Sequence, residues 1–451
     1  MSLFTSTDFI SACSSGTDWR DTSKAVLEQL DSVRTEDDGF TFGFIYISDH
    51  LADDTSSIYN LFKSVTKIDH WIGSVGMGVI GAQERLVDQP AISVMIGRFS
   101  EESFCVFPKG SAGIGGDITL QDTPAASDAP GGDYSDAPDI PNVLEENLEM
   151  QGPRYLSHDV VQQWLIEHTP MLSVVHIDPL SPFSPQESLA DLEQSTNSFF
   201  VGGLTSSRNH HYQIANGLHN NALCGAFFDE AIPVATTLSQ GCKPFEGHHT
   251  ITKVDGNVIL ELDEQRALDV LQDSLRALAC RKLGKETTDF EGSFEEIKSS
   301  EQIPSEFKSL FRGQVHVALP LSQSDQNDFV VRNIANIDAD EGSITLVDTV
   351  EPGQRIFFVE RDDENTFSDL SKDLIALRNR VMAERGSFEP KGALYFSCIA
   401  RGFSDQDSQS SKEIQLIHDI IGDIPLCGFY AGGEINNARF YSYAGVVVLF
   451  F

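Results

Sequence analysis

Two short segments near the end of the chain carry residue types suited to gripping a charged small molecule. Cys398-Ile-Ala-Arg-Gly402 and Gly428-Phe-Tyr-Ala-Gly-Gly-Glu434 each begin at the end of an apolar run. An arginine presents a planar fork to a carboxylate, and a glutamate accepts from an amine. If the two runs are adjacent strands, Arg401 and Glu434 share one mouth and suit a zwitterion. A structural salt bridge between them is an equally simple reading. Gly432 and Gly433 would let a ligand approach the backbone, and Thr205 and Ser206, placed after another glycine-bearing run, would add hydroxyls.

Other residues raise other chemistries. Cys398 ends a strand-like run and Cys242 lies six residues before His248-His249. A nucleophilic thiol needs a base in contact and an oxyanion hole, so inert buried cysteine is the simpler expectation. The pairs His210-His211 and His248-His249 are of a type that ligates haem iron or a metal, although adjacent loop histidines are commonly just solvated. Gly76, Gly78 and Gly81 match Gly-x-Gly-x-x-Gly, yet about ten residues, including Pro90, separate them from the next strand-like run. A dinucleotide site requires a long helix there, so these glycines read as turn formers.

These residues sit within a unit that occurs three times: strand, helix, strand ending near glycine, polar excursion, strand. The first copy is Phe44 to Asp49, Thr55 to Val65, Trp71 to Gly73 and Ala91 to Ile96. The second is Ser173 to Asp178, Gln186 to Gln194, Phe199 to Gly203 and Leu223 to Phe228. The third is Ala393 to Cys398, Lys412 to Ile421, Leu426 to Tyr430 and Gly445 to Phe450. Asp49 to Gly73 and Asp178 to Gly202 both span 24 residues, which argues for duplication. Each copy pairs two strands through a helix and returns without one, so the class is α/β with mixed parallel and antiparallel sheets.

A length of 451 residues exceeds one ordinary core. The reading is a two-part protein, 20–232 and 233–451, with an acidic, disordered insert at 117–150. That insert has nine acidic residues and no basic one. Between the third copy and the second, a hairpin is expected at Thr250 to Leu262, turning at Asp255-Gly256. A helix capped by Asp263 should follow to Cys280, then four strand-like runs and a helix from Phe367 to Ala383.

With 31 basic against 68 acidic residues, the net charge of −37 repels phosphate backbones and anionic headgroups, so neither nucleic acid nor membrane is an expected partner. No apolar run reaches the length that spans a bilayer, and the start of the chain lacks a signal-peptide pattern. Seven scattered cysteines without a Cys-x-x-Cys pair fit reduced thiols in a cytoplasm.

At these residues the chain resembles the FIST family (F-box and intracellular signal transduction), in its stand-alone bacterial form. The N-terminal part shows Trp71-Ile-Gly-Ser-Val-Gly76, Val79-Ile-Gly81, Gln89-Pro-Ala-Ile-Ser-Val94 and Phe200-Val-Gly-Gly203. The C-terminal part shows Ser239-Gln-Gly-Cys-Lys-Pro244, Asn257 to Asp263, Arg361-Asp362, Phe396-Ser-Cys398, Arg401-Gly402 and Gly428 to Ile435. The resemblance implies ligand sensing rather than catalysis, with amino acids or similar polar metabolites as ligands. It also implies a signalling partner such as a histidine kinase or a cyclic-dinucleotide enzyme. No cofactor is expected, with a haem-based nitric oxide sensor as the alternative and a cysteine-dependent enzyme as the second. The chain departs from the family at Ala400, usually glycine, and at Asn436-Asn437 and Phe440-Tyr-Ser-Tyr443, where Gly-Pro and a later Leu-His-Gly are usual.

Overall fold

The computed structural model describes residues 8–34, 39–107, 159–244, 247–283, 315–321, 329–361, 363–402 and 410–451. The insert expected at 117–150 lies outside them. The first copy comprises β1 (Phe9–Ser15), α1 (Trp19–Asp31), β2 (Phe42–Ser48), α2 (Thr55–Thr66), β3 (His70–Gly76), β4 (Gly78–Gly81), β5 (Arg85–Val87) and β6 (Ala91–Gly97). The second has β7 (Phe104–Phe107), α3 (Asp159–Glu167), β8 (Pro170–Ile177), α4 (Pro185–Thr196), β9 (Phe199–Leu204), β10 (Gln213–Ala215), β11 (Leu218–His219) and β12 (Leu223–Asp229).

The third copy opens with β13 (Val234–Ser239) and is then interrupted. The interruption holds β14 (Cys242–Pro244), β15 (His249–Asp255), β16 (Val258–Leu262), β17 (Gln265–Arg266), α5 (Ala267–Leu283) and β18 (Val315–Pro320). It continues with β19 (Phe329–Arg332), β20 (Ile334–Asp338), β21 (Ser343–Leu346) and β22 (Arg355–Arg361). The copy resumes with α6 (Asp363–Arg385), β23 (Gly392–Cys398), α7 (Ser410–Ile421), β24 (Leu426–Ala431), β25 (Glu434–Asn436), β26 (Arg439–Tyr441) and β27 (Gly445–Phe450).

Each copy builds one six-stranded mixed sheet. The parallel pairs are β2 with β3, β8 with β9, and β23 with β24. The returning strands β6, β12 and β27 run antiparallel between the first parallel strand and an outer strand, β1, β7 or β13. Every sheet is completed by a hairpin from another copy. The β4–β5 hairpin of the first copy joins the third sheet, β10–β11 of the second joins the first, and β25–β26 of the third joins the second. The exchange therefore closes on itself, and the second and third sheets contain strands from both sides of residue 232.

Pairing registers make the threefold correspondence explicit. Ile214, Ile435 and Ile80 lie opposite Gly73, Gly202 and Gly428. An added Cβ at those glycines would lie 1.7, 1.9 and 1.8 Å from the carbonyl oxygens of Ile45, Val175 and Tyr395, so the parallel strands need glycine there. This is the physical reason for the recurring glycine in the sequence.

Alternation along the strands divides their side chains between two faces. One face of each sheet meets the other two in a shared core that includes Phe44, Tyr46, Leu172, Val174, Phe396 and Phe429. The opposite faces take helices: α1 and α2 with Val26, Leu30 and Phe62, α3 and α4 with Val161 and Leu189, and α6 and α7 with Leu374 and Ile417. Strands buried on both sides read as unbroken apolar runs, as β27 does.

The interruption forms a nine-stranded antiparallel sheet, ordered β19-β18-β22-β15-β16-β21-β20, with β14 along β22 and β17 along β16. Its core packs on α5. The hairpin at Asp255-Gly256 is present, but Asp263 does not cap the helix as expected. Asp263 has φ +50°, and its carboxylate accepts from the Thr250 N–H at 2.8 Å and pairs with His249 Nδ1 at 2.7 Å. β17 intervenes, and α5 starts at Ala267.

Candidate functional site

The charged residues gather where the third copy meets the inserted sheet. β23 ends at Cys398, and a single helical turn, Ile399–Gly402, follows and carries Arg401. The Arg401 side chain is buried and makes an ion pair with Glu413 of α7 at 3.5 Å. The Tyr395 hydroxyl donates to Glu413 Oε1 at 2.7 Å and accepts from Arg401 Nη1 at 3.4 Å. A Cβ at Gly445 would lie 2.2 Å from Arg401 Nη1, so glycine is required for the guanidinium to fit.

Glu434 is fully buried on β25. Its Oε2 accepts the Ala444 N–H at 3.0 Å, and the Cys398 thiol lies within hydrogen-bonding reach. Oε1 takes no N–H or O–H donor among the described residues. Burial holds the carboxyl well above the usual carboxylate range, against the opposing pull of the Ala444 N–H and the Arg401 charge. Glu434 and Arg401 thus sense each other electrostatically, although Glu434 rides on a hairpin that crosses to the second sheet and lies opposite Gly203. The expected geometry, two adjacent parallel strand ends, is replaced by a strand end and an exchanged hairpin.

The other residues singled out from sequence separate. The Gly432 N–H donates to Leu204 O at 2.9 Å and the Leu204 N–H to Gly433 O at 2.8 Å. These glycines admit the neighbouring strand closely, with Thr205 O and Leu204 Cδ1 at 3.4 and 3.1 Å from added Cβ atoms. Thr205 faces the junction of the first two copies, with its Oγ1 2.9 Å from Ser74 Oγ and accepting from Gln213 Nε2 at 2.8 Å. Ser206 donates to Tyr430 O and accepts the Met77 N–H, joining all three copies through one hydroxyl.

Cys398 is buried. Desolvation, with the Glu434 charge adding, pushes its thiol far above its ordinary pKa, which favours the thiol over the thiolate a nucleophile requires. Cys242 is likewise pushed up to about 12, chiefly by burial. His210 and His248 are exposed, His210 Nε2 pairs with Asp53 at 3.2 Å, and His249 Nδ1 is taken by Asp263. The three glycines at 76, 78 and 81 form the β3–β4 connection and a hairpin strand, with no helix following.

Sequence reasoning passed over Glu413, Tyr395, His316 and Tyr443. Glu413 looked like any polar residue on an amphipathic helix. Tyr443 was noted only as a departure from a family pattern, yet Arg361 Cζ lies 5.2 Å from its ring centroid and Arg361 Nη2 donates to Ala400 O at 2.6 Å.

The FIST N domain model matches residues 41–265 and the FIST C domain model residues 267–437. The chain belongs to the FIST family, whose domains are associated with sensory signal transduction and small-ligand binding. Among curated proteins it is similar to an uncharacterized protein of Mycobacterium tuberculosis, 29% identical over 215 residues, covering 45% of each chain. An uncharacterized protein of Mycobacterium bovis is 28% identical over 209 residues, 44% of this chain and 45% of the relative. These matches span less than half the length of either relative. Among the described residues, no helix is long and apolar enough to cross a membrane.

Proposed function

We propose that this chain is a sensor that holds a small polar metabolite, such as an amino acid, beside Glu434 and reports its presence to a separate signalling protein. A histidine kinase or a cyclic-dinucleotide enzyme in the cytoplasm is the class of partner this reading calls for. One observation carries it. At the threefold-equivalent hairpin position opposite Ser74, Gly203 and Phe429, the copies carry Gln213, Glu434 and Val79. The copies share a frame, and the one with a carboxyl group at this position also has the Arg401 charge acting on it.

Mass spectrometry of small molecules released from purified protein identifies candidates, and thermal shift ranks them. Ligand at about 100 times its Kd contributes about 2.7 kcal/mol. Glu434→Gln should remove that shift while the protein still folds, because the amide keeps the shape and can still accept the Ala444 N–H. Full affinity in this variant would place the ligand elsewhere. Arg401→Ala is a poor probe, since stripping one partner from a buried ion pair costs about 3–5 kcal/mol by itself.

A further inference from the structure

The seam between the inserted sheet and the third copy holds a buried histidine that the preceding site does not use. His316, on β18, is 3% exposed, and neither ring nitrogen has a hydrogen-bond partner among the described residues. Leaving a buried polar group dry is destabilising. Packing does not require the nitrogens: the ring sits 4.3 Å from the Tyr443 ring at 32°, a contact a phenylalanine would make equally well. Tyr443 itself holds φ +60°, a backbone conformation that strains a bulky residue and gathers at functional sites. Arg361 lies against the same tyrosine. Burial, with the Arg361 charge second, holds His316 down at about 4, so at neutral pH it offers one N–H and one bare nitrogen.

We propose that His316 and Arg361 form a carboxylate-binding subsite at this seam, so that the inserted sheet, rather than Arg401, takes the acidic end of the ligand. The proposal rests on reading the Glu434 site as ligand-binding. Arg401 is already neutralised by Glu413 inside the fold. Arg361 supplies a positive field beside His316, and a carboxylate placed there accepts the imidazole N–H. The ligand then bridges the inserted sheet and the third copy, which couples occupancy to how the two pack against each other.

The test uses [13C]acetate, the smallest carboxylate probe with one methyl group, and follows its NMR line width with the full chain at pH 7. His316→Phe keeps the ring and its stack and deletes both nitrogens. Wild type and Glu434→Gln should broaden acetate alike, while His316→Phe should weaken binding at least about tenfold, with a melting temperature equal to or above wild type. Acetate binding unchanged in His316→Phe, or absent in wild type, would overturn the subsite. Because Glu434→Gln removes the other pole, a wrong assignment of Glu434 leaves the acetate result intact and the two failures stay distinct.

Discussion

His176 offers the most quantitative test of the threefold frame. The registers make Tyr46, His176 and Phe396 equivalent, each on the residue after the one whose carbonyl meets the recurring glycine. Their side chains converge in the shared core: the His176 ring is 5.5 Å from that of Tyr46 and 6.2 Å from that of Phe396. His176 is fully buried, Nε2 lies 3.2 Å from the Tyr46 hydroxyl, and Nδ1 has no partner among the described residues. Burial lowers its pKa from 6.5 to about 3. As pH falls below 6.5 the unfolded chain takes up a proton that the folded chain refuses, so stability is present at neutral pH and is lost on acidification. The slope approaches about 1.4 kcal/mol per pH unit, or about 2.7 kcal/mol in all between pH 7.5 and 4.5. His176→Phe copies the third position and removes the titration. At pH 7.5 the variant should be the less stable by about 1–3 kcal/mol, because the buried Tyr46 hydroxyl loses its His176 partner. By pH 4.5 the balance should have moved toward the variant by about 2–3 kcal/mol. Urea unfolding at both pH values gives the difference, and a gap that does not change with pH would refute the burial argument.

Gly428→Ala should lower the melting temperature sharply or prevent folding, because its Cβ would lie 1.8 Å from Tyr395 O and backbone has to move; calorimetry showing a change of under about 1 kcal/mol would refute the strand packing. Iodoacetamide at pH 7 should spare Cys398 in the folded chain and label it after unfolding, as peptide mass spectrometry reads out. Rapid labelling of native Cys398 would revive the enzyme reading.

Much of the architecture was legible in the sequence because it is local. Helices and parallel strands within a copy lie close along the chain, and the glycines mark close approach of two backbones. The outer strands and the hairpin exchange were not legible. Val234 to Leu238 reads as a strand, but nothing in it shows that it pairs with β27 more than two hundred residues later. Glu434 was found by residue type, while the hairpin that carries it to Gly203 is a tertiary fact. His316 sits in an apolar run where alternation predicts a core residue. Its signal, two unfilled nitrogens, exists only once neighbours are placed.

The cyclic exchange also bears on how the chain is made. The second sheet is bounded on the β9 side by a strand from Glu434–Asn436, 230 residues beyond Leu204. At about 5–20 residues per second of synthesis, that edge waits roughly 12–46 s for its partner. Until then the backbone of β9 is an open template for pairing with another chain. Ribosome pausing within the interruption would lengthen this window, making translation speed across residues 240–390 a determinant of soluble yield.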